Sequence, residues 1–245
     1  MFSLALKKFD KLRKTRFNKK EYDLSSSELF ELVLTKNIKK GPLYLMDLPV
    51  NFILLLLSLY SITKAKIKKI QKVNYFIAFN DEIYDPRTQN YISKIKQEKF
   101  LNIIRANTLK VSLNAFMKYE NVFFHQSIVY FSRFFFKEKE FTIEKKFLHI
   151  QRCNLRKQKI YLFFFKFLKI KKLIMIDDYR EIQGFINICK KINILSIGIM
   201  HSRFSKFRVS LKYNCFDQYI VWTQYFKKKL IEINSKYKNK VIINN

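Results

Sequence analysis

The sequence predicts an α/β protein with a parallel sheet flanked by helices. Two observations lead there. In the last third of the chain, short apolar runs alternate with amphipathic segments of helix length, the pattern of βαβ units whose strands are buried on both faces. Several of these runs also end in polar residues, as strands do where a sheet meets a ligand crevice. The 49% hydrophobic and 17% aromatic content supplies a core and excludes a disordered chain.

Residues 1–72 form a basic helical lead-in. Ser25-Ser26-Ser27-Glu28 offers a hydroxyl N-cap ahead of Leu29, Phe30, Leu32, Val33 and Leu34, and Gly41-Pro42 breaks the chain. Lys7 and Lys8 interrupt the N-terminus before the apolar stretch of a secretory signal can form. Residues 43–62 hold the most apolar run, ending in Phe52-Ile53-Leu54-Leu55-Leu56-Leu57-Ser58-Leu59-Tyr60. A spanning helix needs about 20 predominantly apolar residues, and Asp47, Pro49 and Asn51 spoil the upstream half. The run therefore predicts a buried or membrane-surface helix. Lys64, Lys66, Lys68, Lys69 and Lys72 follow it, either as a solvated stretch or facing anionic lipid.

Residues 73–245 carry the α/β domain. Val73 to Phe79 is a β-rich run closed by Asn80-Asp81, and Asp85-Pro86 marks a turn. Ile92, Ile95, Phe100, Ile103 and Ile104 suggest an amphipathic helix with Lys94, Lys96 and Lys99 on its wet side. Between Thr108 and Lys172, aromatic runs at Phe134-Phe135-Phe136 and Tyr161-Leu162-Phe163-Phe164-Phe165 alternate with basic stretches. Buried helix faces account for them, and a single-strand stacking platform is the alternative. Leu173-Ile174-Met175-Ile176 then forms a strand ending in Asp177-Asp178. A helix with Ile182, Phe185, Ile186, Cys189 and Ile192 on one face leads to the strand Ile194–Met200, which ends at His201-Ser202. Phe216-Asp217 opens the strand Gln218–Thr223. A helix through Tyr225, Phe226, Leu230, Ile231 and Ile233 precedes a last strand at Val241-Ile242-Ile243.

The formal net charge is +30, with Lys+Arg 49 against Asp+Glu 19. It is spread evenly: net +10 over residues 1–72, +12 over 73–176 and +8 over 177–245, so no basic arm stands out. Lys outnumbers Arg 39 to 10, and Asn, Ile, Phe and Tyr abound while Ala, Gly and Pro are scarce. AT-rich coding produces this composition without any binding role. Scarce Arg also counts against dedicated nucleic-acid readout, which favours the bidentate guanidinium fork.

Three glycines leave no room for a phosphate-cradling loop, and neither a P-loop nor GxGxxG is present. His125, His149 and His201 have no partners at metal-ligand spacing, and no GxSxG elbow occurs. Cys153, Cys189 and Cys215 form neither a disulfide framework nor a metal motif, which fits a reducing compartment. The chemically suggestive positions are the strand ends: Asn80-Asp81, Asp177-Asp178 and His201-Ser202. His201 is the candidate general base, since imidazole exchanges protons near neutral pH. The alternative is that strand ends are polar because the chain is leaving the core.

The succession LIMIDD, helix, ILSIGIMHS, loop, FDQYIVWTQYFKKKL and KVIINN resembles a stretch of bacterial surface-polysaccharide glycosyltransferases of the two-domain GT-B kind. That group includes CDP-glycerol glycerophosphotransferase-like enzymes and capsule or lipopolysaccharide transferases. Asp177, His201, Asp217 and Trp222 fall at matching positions, and YFIAFNDEIYDPRTQNYISKI resembles an earlier strand and loop of the same proteins. Two departures stand out. Met200-His201-Ser202 replaces the family's Gln-His-Gly, and Asn245 falls about where the second domain of such enzymes begins.

The resemblance implies a Rossmann-like, acceptor-side GT-B domain without its donor-binding half. It implies transfer of a glycosyl or polyol-phosphate group from a nucleotide-activated donor, with His201 as base, Asn80, Asp81, Asp177, Asp178 and Ser202 at the cleft, and no metal or cofactor. The implied partners are a surface-glycan or lipid-linked acceptor, a chain carrying the donor domain, and an anionic membrane surface at the inner face of the cytoplasmic membrane. An RNA-binding basic protein and an inactive scaffold for a transferase are the competing readings. The first would bind through neutralised phosphates.

Overall fold

The computed structural model describes residues 2–15, 29–30, 33, 48–72, 76–82, 100–105, 108–119, 121–134, 143–176, 182–200, 209–213 and 215–243. The chain is α/β, with parallel strands flanked by helices. It divides into two compact units: residues 1–39, 136–159 and 177–245 form the first, and residues 40–135 and 160–176 the second.

The second unit contains α2 (Leu48–Lys72), β1 (Phe76–Glu82), β2 (Phe100–Arg105), α3 (Leu109–Lys118), β3 (Val122–Phe124), α4 (His125–Phe134) and β4 (Ile170–Ile176). Its strands run parallel in the order β3-β2-β1-β4. The middle strand of β3-β2-β1 is buried on both faces, with Leu101, Ile103 and Ile104 removed from solvent. Leu54, Ile104, Ala115, Val122 and Phe124 form a core cluster. Phe123 packs its ring against Tyr161 and Phe164 at 5.4 and 5.1 Å between centroids. The Thr108 hydroxyl caps α3 by accepting from Val111 N at 3.2 Å.

Two sequence expectations need correction here. The described part of the first strand is Phe76–Glu82, so Asn80 and Asp81 pair within its final residues and do not close it, while residues 73–75 lie outside the described residues. Phe100, Ile103 and Ile104 belong to a strand and not to an amphipathic helix. Their 3–4 spacing fits a helix face, but the segment's parallel pairing to β1 and β3 decides, a contact between segments distant in sequence. Ile92 and Ile95 lie outside the described residues. The apolar run and the lysines after it form one helix, and Pro49 sits in its first turn, where a missing N–H costs nothing.

The first unit contains α1 (Phe2–Thr15), α6 (Ile182–Lys191), β5 (Leu195–Ile199), α7 (Val209–Tyr213), β6 (Gln218–Val221), α8 (Gln224–Ile233), a 3-10 turn (Ser235–Tyr237) and β7 (Val241–Ile243). The long helix α5 (Ile143–Phe167) passes from the first unit into the second at Lys159. Strands β5, β6 and β7 are parallel neighbours in that order, as the alternation of apolar runs and helices predicts. Asn193 takes a left-handed backbone (φ 52°) after α6, and Ile194 N donates to Cys189 O at 3.0 Å, closing the helix with a Schellman-type turn. Lys212 and Tyr213 of α7 both bond the Asp10 carboxylate of α1. Leu29 and Phe30 are helical and buried, and Phe30 meets Phe9 edge-on at 5.7 Å. The N-cap at Ser25–Ser27 and the Gly41-Pro42 break lie outside the described residues.

On α5 the aromatic run resolves by spacing. Tyr161 and Phe165, four apart, are buried, while Phe163 is exposed. Of the other run, Phe135 and Phe136 lie outside the described residues.

Candidate functional site at the strand ends

In the second unit the chain lays down β1, β2 and β3 in one direction and then returns to place β4 on the other side of β1. The strand order thus reverses between β1 and β4. In parallel α/β sheets, such a reversal opens a crevice outside the carboxyl ends of the two strands, because the connections leave them toward opposite faces. Asn80 and Asp81 stand at the carboxyl end of β1. Asn80 is in register with Met175 of β4 and Ile103 of β2, and Asp81 with Ile104. Asp177 and Asp178 follow β4 directly in sequence and lie outside the described residues, as do His201 and Ser202 after β5. Of the six candidate positions, the structure therefore brings Asn80 and Asp81 to the switch point.

The same edge carries Arg105, which the sequence reading left out, and His125, which it weighed only as a metal ligand. Glu82 is in register with Arg105, the last residue of β2, and His125 directly follows β3. Arg105 was hidden by the helical reading of its segment, and His125 by a strand only three residues long. Reading VFFH as a strand ending in histidine would have found it. His125 is fully buried, with Nδ1 at 2.5 Å from the Tyr161 hydroxyl and its ring stacked on the Tyr161 ring at 5.8 Å. A histidine so enclosed joins β3 and α4 to α5. It is not a base open to substrate in this conformation.

Asp217 and Trp222 lie at opposite ends of β6. At the start of the strand, Asp217 Oδ2 accepts from Ser196 N at 2.9 Å and from Ser196 Oγ at 2.6 Å, while Asp217 N donates back to Ser196 Oγ at 3.1 Å. This reciprocal set staples the amino-terminal ends of β5 and β6. It occupies the carboxylate in architecture, at the edge away from the strand carboxyl ends. Trp222 emerges from the carboxyl end, 38% exposed, and meets Phe226 edge-on at 5.7 Å. Beside it, Met200 N donates to Ile220 O at 2.9 Å and fixes the last described residue before His201.

None of the three cysteines is in a disulfide, and all are buried. Burial pushes the Cys189 thiol far above its ordinary value, with the Asp217 charge adding to the effect, and burial likewise raises Cys215. Both are therefore held as thiols near neutral pH, and act as small apolar side chains. Among the described residues no cluster of three or more His, Cys, Asp or Glu side chains is arranged to hold a metal ion. None of the described helices is long and apolar enough to cross a membrane.

Comparison with known proteins returned no matching family model, no matching curated protein and no matching solved structure.

Proposed function

We propose that this chain is the acceptor-side domain of a surface-polysaccharide glycosyltransferase of the GT-B kind, working with a donor-binding domain supplied elsewhere in its polypeptide or by a partner chain. The observation that carries the proposal is the reversal of strand order between β1 and β4, with Asn80 and Asp81 ending one strand and Asp177-Asp178 following the other. The resemblance of residues 173–245 to such transferases supplies the reaction class. The spacing of strand and helix in β5, α6, β6, α8 and β7 supports it.

In this reading, a hydroxyl of a surface-glycan or lipid-linked acceptor attacks the anomeric carbon of a nucleotide-sugar. The bond from that carbon to the nucleoside diphosphate breaks, and its electron pair leaves with the diphosphate. The acceptor proton passes to the His201 imidazole. With a nucleotide-activated polyol the attack falls on phosphorus, and a nucleoside monophosphate leaves. Asn80, Asp81, Asp177, Asp178 and Ser202 orient acceptor hydroxyls. The protein works at the inner face of the cytoplasmic membrane.

The test is a reconstitution of this chain with a donor domain, a lipid-linked acceptor and a panel of nucleotide-sugars and CDP-glycerol, read by mass spectrometry of the acceptor. Transfer is expected, with His201→Ala slower by about 10²–10⁴-fold. A retained rate removes His201 from the reaction. No transfer from any donor, together with polyanion binding that falls steeply with salt, supports the RNA-binding reading instead.

A further inference from the structure

Helix α2 carries large apolar side chains on both of its faces. Among the described residues its buried positions recur at helical spacing as Asn51, Leu54, Ser58, Ser61 and Ile62, three of them polar, and the partly buried Val50 and Leu57 pack against the same core. Ser58 is fully buried. Its hydroxyl donates to Leu54 O at 2.7 Å and accepts from Phe124 N, at the end of β3, at 3.0 Å. The opposite face exposes Phe52, Ile53, Leu56, Leu59 and Tyr60, with Leu56 at 49% and Tyr60 at 59%.

Helix α3 also turns apolar bulk outward. It buries Ser112 and Ala115 and packs Leu109, Val111 and Phe116 against the core, yet exposes Leu113 and Met117, the latter at 85%. Ser112 Oγ donates to Thr108 O at 3.0 Å and accepts from Gln126 Nε2 at 3.2 Å. The two helices meet where Tyr60 and Phe116 approach to 6.3 Å between ring centroids. A groove of about 330 Å³ between them is lined by Tyr60, Ser61, Lys64, Met117, Lys118 and Tyr119, among others. A soluble surface helix places its apolar stripe inward. Two adjacent helices that pack apolar side chains inward and carry further large ones outward present an apolar face to solvent, which marks an interaction surface.

The geometry points to an anionic lipid bilayer as the occupant of this face. Neither helix carries a carboxylate, and Lys64, Lys110 and Lys118 are its described cations. Further lysines at 66, 68, 69 and 72 lie on the same α2 segment. Lysine is depleted at protein–protein contacts. It is favoured beside tyrosine at the membrane interface, where its stem lies along apolar surface and its ammonium reaches the phosphates. A second copy of a chain with net charge +30 would meet like charge. The contiguous apolar stretch from Phe52 to Tyr60 rises only about 14 Å, against about 30 Å of hydrocarbon, so α2 lies along the interface. The lipid face gives a contact surface to the membrane placement proposed above; it is read from the two helices, and flotation tests it separately from transfer.

The experiment is vesicle flotation of the full chain. One set of vesicles is phosphatidylcholine alone, and the other mixes it in equal parts with phosphatidylglycerol. The wild-type chain should float with the mixed vesicles. Leu56→Gln/Met117→Gln should bind them at least tenfold more weakly. Lys64→Gln/Lys118→Gln should lose more binding than Lys190→Gln/Lys191→Gln, which removes the same charge from exposed positions on α6. Binding by the apolar pair variant at the wild-type level overturns the proposal. So do equal losses from the two lysine pairs, which would show diffuse charge at work. Light scattering without lipid provides a further check. If the apolar pair turns a wild-type oligomer into a monomer and leaves flotation unchanged, the face joins copies of the chain, and the lipid proposal fails. Far-UV circular dichroism verifies folding. Should the double variant misfold, Met117→Gln alone keeps the test, since that side chain is 85% exposed.

Discussion

The interior of the first unit around β5 and β6 and the seat of α2 in the second unit solve the same problem with different materials. Around β6 the buried side chains are large rings. Phe216 and Tyr219 lie 5.7 Å apart, Tyr219 and Tyr237 lie 5.6 Å apart, and the Tyr237 hydroxyl accepts from Phe216 N at 3.3 Å. Under α2 a cluster of Leu54, Val122 and Phe124 is interrupted by the buried Ser58 hydroxyl, which satisfies backbone groups, and the Phe52 and Tyr60 rings are exposed. In the first region, volume and shape hold the structure. In the second, a buried hydroxyl bond adds to apolar packing, and part of the helix's bulk is left exposed. The contrast shows that total hydropathy and the direction it faces are separate properties of a segment.

The largest expected effect tests the volume-dominated side. Gly198 is the fourth of the five residues of β5, and a Cβ added there would stand 2.6 Å from Tyr219 Cδ2 and 2.8 Å from Phe216 Cδ2. Both atoms belong to rings locked among other rings, so neither yields cheaply. Gly198→Ala should destabilise the protein by about 3 kcal/mol through overpacking, measured by urea unfolding. A change under about 1 kcal/mol would show that the Tyr219 ring can shift, and the picture of a shape-locked interior would fail.

The hydrogen-bonded side has its own lever. Ser58→Ala removes one hydroxyl and adds no bulk, but it leaves the buried Phe124 N–H without the acceptor at 3.0 Å. A loss of about 2 kcal/mol is expected in the same measurement, most of it the desolvation of that N–H. Ser58→Thr keeps the hydroxyl and should recover part of the loss. If Ser58→Ala is neutral, α2 is held by Leu54 and Ile62 in the ordinary way, and the contrast between the two regions disappears.

Much of the architecture was legible because parallel strands are apolar on both faces. The runs over Leu173–Ile176, Leu195–Ile199 and Gln218–Val221 needed only local composition to be found. Phe100–Arg105 was not legible, since its apolar residues fit both periods and the deciding pairs, Ile103 with Asn80 and Phe123, are distant in sequence. The site was legible to the same degree. The polar residues Asn80 and Asp81 announce a strand end, whereas the switch point beside them follows from where β4 inserts. Arg105 and His125 required strands that the sequence did not reveal. Asp217 was visible as a matching position of the resemblance, but its role as a staple was not, since its partner Ser196 lies 21 residues away. The exposed apolar face of α2 was hidden for a different reason. Its apolar run is equally strong whichever side is buried, and only the contacts of Leu54 and Ser58 fix the direction.

The smallest expected effect on folding is the most informative about that direction. Leu56 is two residues from the fully buried Leu54 in the same run, and nothing in composition separates the two. Leu56 is 49% exposed, so truncation removes few packing contacts and opens no enclosed cavity. Alanine also has the better helix propensity, which offsets part of what is lost. Leu56→Ala should therefore change unfolding stability by no more than about 0.5 kcal/mol. A large loss would mean that Leu56 is packed within the fold, and α2 would then be an ordinary core helix with no free apolar face. A null result leaves the leucine without a role in folding, and shifts the reason for its bulk to whatever the helix meets outside.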